Sequence, residues 1–516
     1  MKESFTQCMD WLHTWAGLLF GWLSFAIFFT GTMTVFDQEI TYWMQPELHH
    51  VIPSPLNVDA AVRSLEQFAP QAERWSIELP SERTPVSTIR WSQDGTSVSR
   101  MINAKTGQPI TVRNTHGGEF FYRFHYQLLL DQAGTWIVGA AAMAMLAALV
   151  TGIVIHHRIF KDFFTFRPSA SAHRSWLDAH NVTSVLALPF HIMITFSGLV
   201  IFWSTYMPAG LQVHYDGEMD GFWAEAESFI EPERANQPAP LVSLRDLERE
   251  ARPYWQGGQT RSIMVSHPGD RHALVQVYRR SNDRLSLYND RVTFDGASGA
   301  LRTVWINSKP AYMTQSVLSG LHFVQFGGGT IRWLYFGMGL AASAMIATGL
   351  VLWVVKRQGR HATTDAVGYR LVEGVNVAAI AGLLVATATF FWANRLLPAD
   401  LPARELRELQ IFFTAWSLCL GHALIKKLFQ LGPSLRIWKT QLSVAAMFFI
   451  LLPIVNVITT EHHLFMTVPQ GQWEVAAVDL TALIGGLGLG WSARRLDQSA
   501  RTSSRPKPSH LVASGG

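Results

Sequence analysis

Apolar stretches of about twenty residues recur along this chain, each long enough for a helix to cross a bilayer. They begin near Trp11, Gly134, Val182, Ile331, Val375, Ile411, Leu442 and Val475. A chain punctuated this way does not close around one water-soluble core. Its composition agrees, with 48% hydrophobic and 16% charged residues. The expected fold class is an α-helical membrane protein with about eight transmembrane helices in a lipid bilayer.

Basic residues give the orientation. The stretches HHRIFKDFFTFRP, VVKRQGRH, IKKLFQLGPSLRIWK and WSARR follow the even-numbered runs. Lys and Arg concentrate in cytoplasmic loops, so both termini are expected in the cytoplasm. The first run is too long for a signal peptide and continues into TGTMTVFDQEI, not a small-residue cleavage site, so it reads as an uncleaved span. Cys8 and Cys419 make neither a disulfide framework nor a CxxC or CxxCH motif. The net charge of +4 is accounted for by the basic loops and implies no nucleic-acid partner.

Two polar segments, about 45–116 and 208–310, separate the early runs and fall on the outer side. Each opens with an amphipathic helix signal, VDAAVRSLEQFAP or SLRDLEREARPYW, followed by strand-like stretches such as PVSTIRWS and HALVQVYRR. Each also holds an Asx–Gly turn, from Asn103 to Gly107 and from Asp295 to Gly299. Two small α+β modules are expected. The layout is a first transmembrane helix within 1–44, a module over 45–116, a second helix within 117–160 and a cytoplasmic loop over 161–179. A third helix within 180–207, a module over 208–310 and a fourth helix within 311–357 follow. Four further helices over 371–495 and a cytoplasmic tail over 496–516 complete the chain.

The spans themselves repeat. Eighteen residues separate His13 from Gly31, and eighteen separate His180 from Gly198. Twenty-seven separate His125 from Gly152, and twenty-seven separate His322 from Gly349. The unit of helix, outer module and helix therefore occurs twice, an internal duplication with histidine at both matched positions. Such rings are either inherited interfacial anchors or share a chemical role. A parallel repeat sets equivalent helices about an axis along the membrane normal, so His13 and His180 would pair at the cytoplasmic side and His125 and His322 at the outer side. Neutral imidazole is a good axial ligand for haem iron, whereas neither pair has the company a four-coordinate zinc site wants. Ionisable side chains within spans are functional candidates by default. The stretches GAAAMAMLAALVTG and GMGLAASAMIATG offer small residues for close packing, against a macrocycle or simply against other helices.

His191 lies eleven residues past His180, about 20° from the same helical face and roughly 16 Å deeper. It is a further candidate for ligation or for relaying electrons or protons, and equally for a hydrogen bond to a neighbouring carbonyl. The first half has Ser24 at this offset. His156 and His157 are alternatives at the end of the second span. His422 reads as a packing residue, and Glu461, His462 and His463 as a point of contact with substrate or a metal ion.

The stretches HTWAGLLFGWLSFAIFFTG, FHYQLLL, HNVTSVLALPF and LHFVQFGGGTIRWLYFGMGLAASAMIATGLVLWVVKR resemble the PepSY-associated transmembrane family. Its members include iron-regulated bacterial inner-membrane proteins and siderophore-iron reductases. The resemblance spans about residues 10–357. The family sets a His-Arg pair at the start of the third span, which here is His173-Arg174, while the eighteen-residue spacing selects His180. The resemblance implies two non-covalent b-type haems and PepSY-like modules in the periplasm. It also implies a ferric-siderophore reductase, a haem-dependent oxidoreductase of the Gram-negative inner membrane serving iron transport, with periplasmic iron-uptake proteins as neighbours. Ferric ion sits on hard oxygen donors in a siderophore, so one added electron loosens the chelate.

No GxGxxG follows a strand and opens a helix, so no flavin or nicotinamide site is visible, and the glycines of LIGGLGLGW fall inside the eighth span. The expected electron donor is quinol or a soluble reductase. Two other classes of function fit parts of the chain. One is a transporter with His191 and His422 along its path; the other is a non-catalytic regulator whose outer modules bind a periplasmic partner.

Overall fold

Ser4 starts the first helix with a capping box. Its hydroxyl accepts from the Gln7 N–H, and the Gln7 side chain accepts from the Ser4 N–H. The structure is a computed structural model that describes residues 4–156, 166–168, 170–227, 233–287, 289–306, 309–361 and 367–503. His157, named above as an alternative, lies outside the described residues, as do parts of the expected cytoplasmic loop and tail.

The helices in chain order begin with α1 (Phe5–Thr34), α2 (Asp37–Met44), α3 (Val58–Phe68), α4 (Gly117–Gln127) and α5 (Asp131–Ile155). Next come α6 (Ala172–Leu186), α7 (Leu188–Ile201) and three short helices, α8 (Trp203–Tyr206), α9 (Ala209–Tyr215) and α10 (Met219–Glu227). Then follow α11 (Leu244–Ala251), α12 (Pro310–Phe323), α13 (Gly328–His361), α14 (Val367–Val377) and α15 (Leu383–Leu396). The last are α16 (Arg404–Leu428), α17 (Ser434–Thr459), α18 (Leu464–Thr467) and α19 (Trp473–Ser503). Among the described residues seven helices are long and apolar enough to cross a membrane, and an eighth is gained if a bent pair counts as one span.

That pair is the expected third span. It is not one straight helix: α6 and α7 meet at 65°. Pro189 in the first turn of α7 has no N–H to give to the preceding turn, and Ala187 leaves helical geometry just before it. The second and fourth apolar segments are also preceded by separate short helices, α4 and α12. These end where Leu128 (φ +53°) and Val324 (φ +49°) turn left-handed. A β-branched residue there is a rare and costly conformation.

The chain divides into two compact units. The first holds all seven strands: β1 (Arg74–Glu78), β2 (Ser87–Gln93), β3 (Thr96–Ile102), β4 (Thr260–Ser266), β5 (Leu274–Arg279), β6 (Arg291–Asp295) and β7 (Leu301–Trp305). Two separate modules were expected. Instead the strands form one antiparallel sheet in the order β3-β2-β1-β4-β5-β6-β7. The seam pairs β1 with β4 in the register Trp75 to Val265 and Ile77 to Ile263. Each half alone would leave an unpaired row of N–H and C=O groups at this edge, and the seam satisfies both rows at once.

Alternating residues build one shared core beneath the helices. Trp75, Ile77, Ile89, Ile263, Val265, Val275, Val277, Val292 and Phe294 face Ala61 and Leu65 of α3 and Leu244, Leu247 and Ala251 of α11. Asn57 and Ser243 cap those two helices. Both Asx turns form. Asn103 accepts from the Lys105 and Thr106 N–H groups with Gly107 at φ +75°, and Asp295 accepts from Ala297 and Ser298 with Gly299 at φ +77°. Arg83, in the loop after β1, donates to both Glu39 carboxylate oxygens at 2.9 and 2.7 Å and to Asp37 at 3.0 Å, tying the sheet to α2.

The second unit contains α14–α19 and the C-terminal part of α13. Its central rod is Val367–Leu396, a single span interrupted by a π-turn at Ala378–Gly382 and packed by α16 and α17. Trp416 donates to the Ala378 carbonyl at the interruption, giving that carbonyl a partner at 2.9 Å. Asn376 takes a hydrogen bond from the Trp22 indole at 2.6 Å and gives one to the Leu350 carbonyl at 3.1 Å.

Candidate functional site

Four half-buried imidazoles share one seating arrangement. His13 on α1 donates from Nδ1 to the Ala148 carbonyl of α5 at 2.8 Å, and its ring lies over Gly152. His125 on α4 donates from Nδ1 to the Ile27 carbonyl of α1 at 2.8 Å, over Gly31. His322 on α12 has Nδ1 at 3.1 Å from the Ser197 hydroxyl of α7 and bonds the Ile194 carbonyl, over Gly198. His180 on α6 has Nδ1 at 3.4 Å from the Thr348 hydroxyl of α13, over Gly349.

The glycines are what let the rings in. A Cβ on Gly31 would stand 2.6 Å from His125 Nδ1, and one on Gly152, Gly198 or Gly349 would stand 3.0–3.2 Å from the Cε1 of its histidine. The matched His–Gly spacings therefore describe seats, but not within a helix. Each glycine receives the histidine of the other segment in its half. His13 meets Gly152 while His125 meets Gly31; His180 meets Gly349 while His322 meets Gly198.

Chemistry follows from the hydrogen bonds. A carbonyl can only accept, so Nδ1 carries the proton and the Nε2 lone pair is the one available to a metal. Such a bond also fixes the ring's orientation and raises its basicity, as found behind metal-bound histidines. The ring centres of His125 and His322 are 6.1 Å apart at 32°. Imidazole–metal bonds of about 2.0–2.1 Å let two rings that close flank a single ion. A run of aromatic rings leads away from His322: Phe323 stands edge-on at 6.0 Å, Tyr122 lies 6.4 Å from Phe323 and 4.9 Å from Tyr126, and Tyr126 stacks on Phe202 at 5.7 Å.

The local folding that holds these rings is legible in small residues. Gly117 (φ +53°) and Gly118 let α4 lie on α2, because a side chain at either would meet Thr41 or Asp37. The Gly118 N–H also donates to Thr41 Oγ1 at 2.9 Å. This contact sets the height of His125, about two helical turns later.

The other candidates divide differently. His191 is wholly buried near the bend of α6 and α7, and neither of its ring nitrogens has a hydrogen-bond partner among the described residues. Phe190 beside it packs edge-on to Tyr335 at 5.2 Å. His173 is exposed, whereas His180 occupies the Gly349 seat. His156 lies at the C-terminal end of α5. His422 approaches the Gln441 amide at 3.4 Å, and His462 bonds Gln472 at 3.0 Å. Among the described residues no three His, Cys, Asp or Glu side chains come together as a metal site, so Glu461, His462 and His463 do not form one.

Residues that the sequence reading passed over complete each seat. Ala148 and Ile27 supply carbonyls, and Thr151, Ser197 and Thr348 bring hydroxyls to the imidazoles. The signal was present: Ser or Thr precedes the glycine in FTG, VTG, FSG and ATG.

A multi-pass helical protein with four glycine-seated imidazoles, two of them 6.1 Å apart, and a small antiparallel sheet is thus defined, and comparison with known proteins places it. Residues 11–356 match the PepSY-associated TM region, and the chain belongs to that family of membrane proteins. It is also similar to an uncharacterized protein of Pseudomonas aeruginosa, 24% identical over 325 residues, which covers 58% of this chain and 77% of that protein.

Proposed function

We propose that this chain is a haem-b oxidoreductase of the bacterial inner membrane that passes electrons outward to reduce ferric siderophore in the periplasm. One observation carries the reading: four imidazoles, matched in spacing between two halves of the chain, each present Nδ1 to the glycine-bearing turn of a neighbouring helix. The donor set fits a haem better than zinc, because the described residues offer paired neutral imidazoles and no cluster of three ligating side chains.

His125 and His322 would hold one haem toward the outer side. His13 and His180, seated in the same manner, are further candidate ligands for haem iron. When bound, haem supplies a one-electron couple between its ferrous and ferric states. The residues do the rest. Ala148 and Ile27 carbonyls hold the Nδ1 protons, the seat glycines admit the rings, and Tyr122, Tyr126, Phe202 and Phe323 keep the outer pair in apolar surroundings. Ferric siderophore is the substrate; it takes one electron and its iron becomes ferrous. The same reading places the sheet in the periplasm and both termini in the cytoplasm, and derives the halves from a duplication. The electron donor is quinol or a soluble reductase.

The bend at Pro189 beside the unpartnered His191 favours a second reading, a transporter whose broken helix marks a path. A visible spectrum of the purified, haem-replete protein separates the two. About two haems per chain by pyridine haemochrome, with an α band that sharpens on reduction, supports the first, and a colourless protein refutes it. His322→Ala is expected to remove the outer haem and keep the other.

A further inference from the structure

Every seat carries a hydroxyl, beside a carbonyl at His13, His125 and His322, and ligation alone does not account for it. Ser or Thr in a helix commonly turns its O–H back to a carbonyl three or four residues earlier. Thr151 does so, donating to Ala147 O at 2.7 Å and reaching Ala148 O at 3.1 Å. With that proton committed, Thr151 Oγ1 faces His13 Nδ1 at 3.3 Å as an acceptor. Ser197 repeats the arrangement. Its O–H points to Ile194 O at 3.2 Å, and its oxygen lies 3.1 Å from His322 Nδ1. Thr348 Oγ1 lies 3.4 Å from His180 Nδ1, and Thr30 sends its O–H to Ile27 O at 3.2 Å, the carbonyl that accepts from His125.

The donor side of these hydroxyls is ordinary helix chemistry. The acceptor side is not, because at Thr151, Ser197 and Thr348 it requires an imidazole from another helix at the same place. Ser197 is fully buried and Thr151 is 2% exposed, so water cannot stand in for either oxygen.

We propose that Thr151, Ser197 and Thr348 are positioning residues that set how strongly His13, His322 and His180 donate to iron, and so set the redox potential of each haem. This rests on the haem reading above. An acceptor on Nδ1–H gives the ring partial imidazolate character, which makes Nε2 a stronger donor and favours ferric over ferrous iron. Each of these oxygens is a second acceptor beside a backbone carbonyl at His13 and His322. Removing it weakens the push and leaves the ring seated on the carbonyl. The ferrous form gains, and the potential rises.

The test is a spectroscopic redox titration of the full-length, haem-loaded chain, reading each haem separately. Ser197→Ala should retain haem and raise the ferrous-to-ferric ratio of the outer haem three- to tenfold at a fixed ambient potential, a shift of about 28–59 mV for one electron. Thr151→Val should do the same to the cytoplasmic haem and leave the outer one alone. Ser197→Thr restores the oxygen and should return the potential toward the original. Thr195→Val removes a buried hydroxyl that bonds only a backbone carbonyl, that of His191 at 2.7 Å, and should shift neither haem. If Ser197→Ala fails to fold, Thr151→Val, which preserves side-chain shape, carries the same test. Retained haem with unchanged potentials in Ser197→Ala and Thr151→Val overturns the inference, as does an equal shift of both haems in all variants. A parent protein without haem overturns instead the function proposed above.

Discussion

Replacing Gly31 by alanine offers a sharp reading of the seats, because ordinary helix energetics predict the opposite sign. In a helix interior alanine is favoured over glycine by about 0.8–1.0 kcal/mol. At Gly31 the new Cβ would stand 2.6 Å from His125 Nδ1 and 2.7 Å from its Cε1. Carbon contacts settle near 3.5–4.0 Å, so the ring must retreat by roughly 1 Å. That retreat stretches the 2.8 Å bond from Nδ1 to the Ile27 carbonyl beyond hydrogen-bonding range. A buried N–H left without its acceptor costs about 1–3 kcal/mol, which outweighs the propensity gain. Loss of an outer-shell partner of this kind lowers metal affinity about 10- to 100-fold. Gly17, also on α1, is the control, since nothing lies within 4 Å of an added Cβ there. Haem content per chain and the thermal midpoint in detergent read both variants. On the proposed haem reading, Gly31→Ala should lose the haem held by His125 and melt earlier, and Gly17→Ala should keep the parent's haem content and melt no earlier than the parent. If Gly31→Ala keeps a full complement of haem with an unaltered spectrum, the seat plays no part in ligation.

Two further outcomes follow from groups outside the seats. Arg404 and Glu408 pair with no exposure to solvent, and Arg404 also bonds the Asn394 carbonyl. Arg404→Met strands the carboxylate and should cost about 3–5 kcal/mol, while the double change with Glu408→Leu should recover most of it; thermal unfolding in detergent compares them. In the sheet, burial would raise the Asp295 carboxyl, but the Arg302 guanidinium at 2.5 Å and the Ser298 N–H and O–H groups overcome it and hold it at about 2. A carboxyl lowered on folding contributes stability that is whole above its unfolded value near 4 and disappears as pH falls toward 2. Protection against amide exchange in β6 and β7, relative to the intrinsic rate at each pH, should therefore fall across that window in the parent and change far less in Asp295→Asn; identical profiles would refute the assignment.

Some of this architecture is written along the chain. The spans follow from hydropathy, and the Asx turns follow from Asn103 and Asp295 with glycines four residues on. The bend in the third span follows from Pro189. The equal spacings of His13 and His180 from their glycines mark positions that matter, since a helix carries such landmarks at fixed heights. What each landmark touches is another question. Gly31 receives His125, a partner 94 positions away, and no periodicity within one helix encodes a contact between two. The same reason hid the β1–β4 seam, because Trp75 and Val265 belong to segments that each look complete as an edge. The breaks after His125 and His322 were also illegible. Leu128 and Val324 take left-handed conformations that their side chains do not advertise, and only the surrounding packing imposes them.

The first helix also acts as a ruler. His13 and the Ile27–Gly31 turn lie 14–18 residues apart on one continuous rod, which at 1.5 Å per residue is roughly 21–27 Å. That length nearly equals the hydrocarbon depth of a bilayer, about 30 Å. Whatever the two ends of α1 grip is held at a separation dictated by membrane thickness. Lengthening the rod by one turn to suit a thicker membrane would move the two grips apart by the same step.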